Sequence, residues 1–218
     1  MMLLKKIEQT NNETEKARLM YLIGCSYGGG CLTKEDSLFS YFVEPDIASA
    51  IEWHERSAKL GNIEAKRRLA NILYRKKGFE DTKKALALFS DLAKQDDVLS
   101  RFLEACCFLR WKKYDSAKTC LKYAASQNFY KAEFYIGKGI EAGLFTFLDK
   151  SDLEIFYERD SSRLNDPLYW YCRAALHNHA IASAYIAEHL YRYENSITMN
   201  RRLGIINTKI RRYIDYET

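Results

Sequence analysis

Apolar residues recur along this chain at three- and four-residue intervals, for ten to fifteen residues at a time, which is the spacing of a helix with one buried face. From Glu13 to Tyr27 they fall at Ala17, Met20 and Tyr21, Ile23 and Gly24, and Tyr27. The same rhythm predicts helices over about 46–60, 65–74, 82–93, 98–110, 115–126, 132–142 and 180–193, with another opening near Asp166-Pro167 and a terminal one over about 198–216. Segment 1–12 reads as a polar lead-in with room for a short helix. Breakers separate these stretches. Gly28-Gly29-Gly30 stops one helix and Gly61 and Gly143 stop others, because glycine tolerates the left-handed conformation at a helix end. Gly78 marks a turn. Asp46 is placed to cap the helix that begins Ile47-Ala48, and Pro167 suits a first helical turn, where its missing donor costs nothing.

The helices carry a repeated phrase. Ala50-x-x-Trp53-His54-x-x-Ser57-Ala58-Lys59-Leu60-Gly61-Asn62 recurs downstream as Trp170-Tyr171-Cys172-Arg173-Ala174-Ala175-Leu176-His177-Asn178, and more faintly as Lys122-Tyr123-Ala124-Ala125-Ser126-Gln127-Asn128. A second phrase, opening on a small residue, follows each: Ala65-x-x-x-Leu69-Ala70, Ala132-x-x-x-Ile136-Gly137 and Ala182-x-x-x-Ile186-Ala187. Gly61 to Asp96 spans 35 residues, Asp96 to Asn128 32, and Asn128 to Asn178 50, the last lengthened by an insertion. Two helices and two turns fit that period. Units of this size cannot bury an apolar face alone and must stack on one another. The expectation is an all-α solenoid in one domain, 1–218. Its repeats fall at about 13–61, 62–96, 97–128, 129–178 and 179–218, with insertions at 31–45 and 144–165.

The pattern resembles Sel1-like repeats, relatives of the tetratricopeptide repeat. Ile23-Gly24-x-x-Tyr27-x-x-Gly30 matches the first half of that motif; Asp46 with Ala50-x-x-Trp53-His54-x-x-Ser57-Ala58-x-x-Gly61 matches the second. Ala132-x-x-x-Ile136-Gly137-x-x-Ile140-x-x-Gly143 and Trp170-Tyr171-x-x-Ala174-Ala175-x-x-Asn178 repeat both halves. The middle copies depart: Leu88 and Cys120 stand where tryptophan belongs, and Glu104 falls on a leucine position. The resemblance implies an adaptor that binds another protein on a concave face lined by the first helix of each pair. Independently of it, small residues at Ala50, Ala58, Ala70, Ala124, Ala174 and Gly137 let helices approach closely, and Trp53 and Trp170 fill space between units.

Composition narrows the function further. With 34 basic and 29 acidic residues the net charge is +5, too small and too interspersed to argue for nucleic acid by itself. No stretch reaches the ~18 apolar residues of a membrane span, and Met1 to Glu8 has no apolar segment of signal-peptide length. A cytoplasmic location is expected, with Cys25, Cys31, Cys106, Cys107, Cys120 and Cys172 reduced and serving mostly as small core residues. None of them has zinc-site spacing. His177, His179 and His189 form a cluster, but the first two flank a helix stop, where imidazole suits the C-terminal dipole. No nucleophile motif, phosphate loop or paired-acid constellation occurs, so neither catalysis nor a cofactor or metal is expected.

The candidate partner-binding residues lie on first helices: Arg67, Arg68, Asn71 and Arg75; then Glu133, Lys138 and Glu141; then Tyr185, Glu188, His189 and Arg192. Each set shares one polar helix face. The insertions are further candidates, 144–165 above all, because Phe145, Phe147, Leu148, Ile155, Phe156 and Tyr157 make it too apolar for a free loop. The basic segment with Arg201, Arg202, Lys209, Arg211 and Arg212 also has an apolar side and is expected to cap the stack. The functional expectation is a protein-binding module, in a narrower version a stand-alone inhibitor or immunity protein of bacterial type that occludes a toxin, since no second domain is evident. Nucleic-acid binding through the basic helix faces is the alternative, and a metal-dependent enzyme a third.

Overall fold

The computed structural model describes residues 2–28, 46–147, 154–156 and 161–194. All regular structure among them is helical: α1 (Met2–Gln9), α2 (Glu13–Tyr27), α3 (Ile47–Lys59), α4 (Ile63–Arg75), α5 (Phe79–Ala93), α6 (Val98–Arg110), α7 (Tyr114–Ser126), α8 (Tyr130–Glu141), the single turn α9 (Ser161–Leu164), α10 (Pro167–Leu176) and α11 (Ala180–Glu194). The chain divides into two compact units, Met1–Asp96 and Asp97–Thr218. The terminal helix expected at 198–216 and the insertion 31–45 lie outside the described residues.

Local chemistry sets the helix ends. Asn12, Asp46, Asn62 and Asp166 cap α2, α3, α4 and α10 by accepting backbone amides, as in Ala48 N to Asp46 Oδ1 at 2.9 Å and Ala65 N to Asn62 Oδ1 at 2.9 Å. The positions that close the repeats are left-handed: φ is +87° at Gly61, +58° at Asp96, +56° at Asn128 and +66° at Asn178. Asparagine and aspartate tolerate this conformation better than other side-chain-bearing residues. Two expectations need correction. Gly28 ends α2 at φ −78° and is not itself left-handed, while Gly29 and Gly30 lie outside the described residues. At the turn assigned to Gly78, Lys77 takes the positive φ of +61°, and Gly78 is the extended N-cap of α5.

In the N-terminal unit α2 pairs with α3 and α4 with α5, and α3 also packs on α4. Ala17, Ala50, Ala65, Ala70 and Ala85 are almost wholly buried at these crossings, where small side chains bring the backbones together. Ser57 Oγ, fully buried, donates to the Ala17 carbonyl at 2.6 Å and ties α3 to α2. Ile7 of α1 joins Leu19 and Ile23 in a small core against which Trp53 packs.

In the C-terminal unit α6 pairs with α7, α7 with α8, α8 with α10 and α10 with α11. Glu104, on an expected leucine position, is buried and pairs with Arg101 at 2.9 Å. The described part of insertion 144–165 belongs to this unit's core: Phe145, Phe147, Phe156 and Leu164 are buried. Phe147 and Phe156 lie 5.5 and 4.8 Å from the Trp170 ring. Asn165 clamps the Phe147 backbone, accepting from its N at 2.7 Å and donating to its O at 2.8 Å, and Trp170 Nε1 donates to the Leu164 carbonyl at 2.8 Å. These residues fasten the insertion to the scaffold, so the aromatic content that marks it in the sequence serves packing. Leu148 and Tyr157 lie outside the described residues.

Candidate partner-binding site

The basic row of α4 does converge, with one exception. Arg68, Asn71 and Arg75 sit at i, i+3 and i+7, hence on one helix face, and line a cavity of about 450 Å³ in the N-terminal unit. Cys25 and Gly28 from the end of α2, Ile47 and His54 from α3, and Ile72 and Lys76 complete its described wall. Arg67 is one position off this face and pairs instead with Glu64. No acidic residue is among the described lining residues. Lys76 has Asp81 at 3.6 Å, whereas Arg68 and Arg75 have no ion-pair partner among the described residues. Arg68 lies beside the Tyr21 hydroxyl, and burial raises the Tyr21 pKa to about 12.

His54 forms the floor and is 1% exposed. Its Nδ1 has no hydrogen-bond partner among the described residues. The ring fits only because residue 24 is glycine: a Cβ there would lie 2.8 Å from Nδ1 and Cε1. Burial, followed by the Arg68 charge, lowers the His54 pKa to about 4 and keeps the ring neutral near pH 7.

The other candidate residues fall in the C-terminal unit, and most are already engaged there. Glu133, expected on a solvated face, is fully buried. Its carboxylate holds Arg173 Nε at 3.0 Å and His177 Nδ1 at 2.8 Å, and Arg173 also reaches Asn128 Oδ1 at 3.1 Å. A buried carboxylate needs such partners to offset lost hydration. Glu141 accepts from the Tyr171 hydroxyl at 2.8 Å and pairs with Lys138 at 3.3 Å, while His189 Nε2 lies 3.3 Å away without hydrogen-bond geometry. Burial opposes ionisation of Glu141, but the Tyr171 and Lys138 contacts hold its carboxyl below the usual range. Tyr185 packs 5.3 Å from the Tyr171 ring under the Lys138 ammonium, 4.6 Å from its centroid. Glu188 is exposed. The Arg192 side chain lies outside the described residues. His179 stacks 4.7 Å from Phe134, and its Nδ1 accepts from Ala182 N at 3.1 Å. Among the described residues no three histidine, cysteine, aspartate or glutamate side chains gather as a metal site would require.

Aligning the repeat phrases shows that the cavity and the engaged cluster occupy equivalent places. Ile23-Gly24 corresponds to Ile136-Gly137, Trp53-His54 to Trp170-Tyr171, and Ala65-x-x-x-Leu69 to Ala182-x-x-x-Ile186. His54 therefore matches Tyr171, Arg68 matches Tyr185, and Gly28 matches Glu141. Gly137 accommodates Tyr171 as Gly24 accommodates His54, since a Cβ at 137 would lie 2.6 Å from the Tyr171 ring. Where the C-terminal unit places a phenol and a glutamate, the N-terminal unit has a shorter imidazole and, at Gly28, no side chain. Reading α4 as a polar face identified the cations; the vacancy beside them needed the pairwise alignment of the repeats.

Comparison with known proteins identifies the fold. No protein-family model matches the chain, and no curated protein sequence does. Several solved structures match it in shape, among them the following two. One is c5321, a protective antigen of uropathogenic Escherichia coli displaying an SLR fold, with TM-score 0.61 and 18% identity over 92% of this chain and 38% of that one. The other is a Sel1 repeat protein from Oxalobacter formigenes, with TM-score 0.55 and 13% identity over 92% of this chain and 80% of that one. The chain thus has the all-α solenoid fold of Sel1-like repeats and spans little more than a third of the length of c5321.

Proposed function

We propose that this chain, through its five repeats, is a non-enzymatic module that binds a protein partner on the first-helix faces, with the cavity beside α4 as the main contact. The observation that carries this reading is the cationic wall formed by Arg68, Arg75 and Lys76, in which the two arginines have no ion-pair partner among the described residues. Arginine charge with no ion-pair partner among the described residues, fronting a partly apolar recess (Ile47, Ile72), is a surface that gains by meeting a complementary one. A reducing, cytoplasmic setting in a bacterial cell is part of the proposal, supported by the buried thiols of Cys106, Cys107, Cys120 and Cys172, none of them in a disulfide, and by the two bacterial fold neighbours. No described helix is long and apolar enough to cross a membrane. The narrower version, a toxin inhibitor, requires the captured protein to be a toxin whose active surface the module covers.

Affinity capture from the native source, with wild-type bait beside Arg75→Glu, tests the reading. The expected result is one protein retained by the wild type and lost from the variant. Retention of nucleic acid that salt or nuclease removes would replace this reading with the nucleic-acid alternative.

A further inference from the structure

The C-terminal unit shows what the vacant place in the N-terminal unit accepts. At the position equivalent to Gly28, Glu141 puts a carboxylate between Tyr171, Lys138 and His189, at 2.8, 3.3 and 3.3 Å. In the N-terminal unit no carboxylate stands at that place among the described residues, and Arg68, Arg75 and Lys76 line the cavity. We infer that the cavity is a carboxylate-recognition subsite, filled by a partner polypeptide's carboxylate in the position where the C-terminal unit uses its own Glu141. This rests on the protein-binding reading above and names the chemistry of the contact.

The wall supports a carboxylate over a phosphate. Phosphate sites draw on helix N-termini, whose amides and positive dipole end face the anion. Here Gly28 and the Arg75–Lys76 pair bring the C-terminal ends of α2 and α4, which carry partial negative charge, and the one helix N-terminus among the described lining residues, that of α3 at Ile47, is already capped by the Asp46 carboxylate. That charge opposes a dianion more than a monoanion. Arg68 and Arg75 offer planar guanidinium forks suited to carboxylate oxygens, and Asn71 adds an amide donor. Ile47 and Ile72 give an apolar neighbour of the carboxylate a surface to cover. The volume, about 450 Å³, is within the range of small-ligand sites and accommodates more than an isolated ion.

The test has an intramolecular and an intermolecular arm. Gly28→Glu lets the chain supply its own carboxylate, and the site tolerates a side chain: φ is −78°, and a Cβ would make only ordinary contacts, the nearest 3.4 Å from the Gly24 carbonyl oxygen. The Gly28→Glu variant should melt above Gly28→Gln, and the difference should vanish when Arg68 and Arg75 are both changed to Gln. For the second arm, a fluorescein-labelled hexapeptide of alternating leucine and glutamate is titrated by fluorescence polarisation. Gly28→Glu should weaken its binding about tenfold or more. Replacing glutamate by glutamine in the peptide, or amidating its C-terminus, should do the same for whichever carboxylate, side-chain or terminal, the site takes. Equal melting of Gly28→Glu and Gly28→Gln would overturn the inference. So would equal peptide affinity of wild type and Gly28→Glu, or displacement of the peptide by inorganic phosphate at concentrations where acetate has no effect. If capture of the native partner depends on Arg75 but these tests fail, the module reading stands and only the carboxylate assignment falls.

Discussion

At the ring position of the second helix the N-terminal unit carries His54 and the C-terminal unit Tyr171, and the two handle the adjoining space in opposite ways. Each ring depends on a glycine of the preceding helix, Gly24 or Gly137, and each is buried. Tyr171 extends a hydroxyl to Glu141, and Lys138 and Tyr185 close over that pair. His54 ends short, with a nitrogen unsatisfied among the described residues and cations around an open recess. One repeat geometry can therefore use its polar groups for cohesion or keep them for a ligand, and the differences at the aligned positions, His54 against Tyr171, Gly28 against Glu141 and Arg68 against Tyr185 among them, separate the two outcomes.

The widest gap between the units should appear in stability. Glu133→Leu strands Arg173 and puts an apolar side chain beside its charge, and breaking a buried ion pair from one side costs about 3–5 kcal/mol. Arg75→Glu in the N-terminal unit should change stability by no more than about 0.5 kcal/mol, as expected for a substitution on an exposed helix face. Urea unfolding of the two variants measures both. If Glu133→Leu unfolds at the wild-type midpoint, the C-terminal polar cluster is not cohesive and the contrast fails.

Acid should expose the N-terminal unit through His54. Its folded pKa of about 4 lies below the ordinary 6.5, so as pH falls the unfolded chain takes up the proton first. The stability contributed by the neutral ring is fully present above pH 6.5 and is lost between pH 6.5 and about 4, to an extent on the order of 3 kcal/mol at most. His54→Phe removes this titration. A wild-type stability curve running parallel to that of the variant across the window would show that His54 does not titrate abnormally.

The smallest effect should be common to both units. Lys77 and Lys112 hold φ of +61° and +57°, one in each unit, without the local side-chain compensation available to asparagine. Changing either to glycine should stabilise by up to about 1 kcal/mol. A gain at one and a loss at the other, seen as opposite shifts in melting temperature, would mean that a lysine side chain contributes more than its backbone strain costs.

Short-range signals were legible in the sequence and long-range ones were not. The cap at Asp46, the stops at Asp96, Asn128 and Asn178, and the α4 row depend on neighbours within one or two turns, and local reading finds them. Glu133 looks solvated on its own helix because its partners Arg173 and His177 are 40 and 44 residues away. Phe147 and Phe156 look like an exposed patch because Trp170, the ring they cover, lies beyond them in the chain. His54 shows the same limit: only its alignment with Tyr171 reveals that it leaves room.

Gly139 has a use beyond this molecule. A methyl group there would sit 2.0 Å from the Phe145 ring, so α8 can accept the insertion only where that position has no side chain. In a chain that shares this packing, glycine at this helix position would mark a docked insertion, and alanine would mark repeats that join directly. The identity of one residue would then sort such proteins by architecture from their sequences alone.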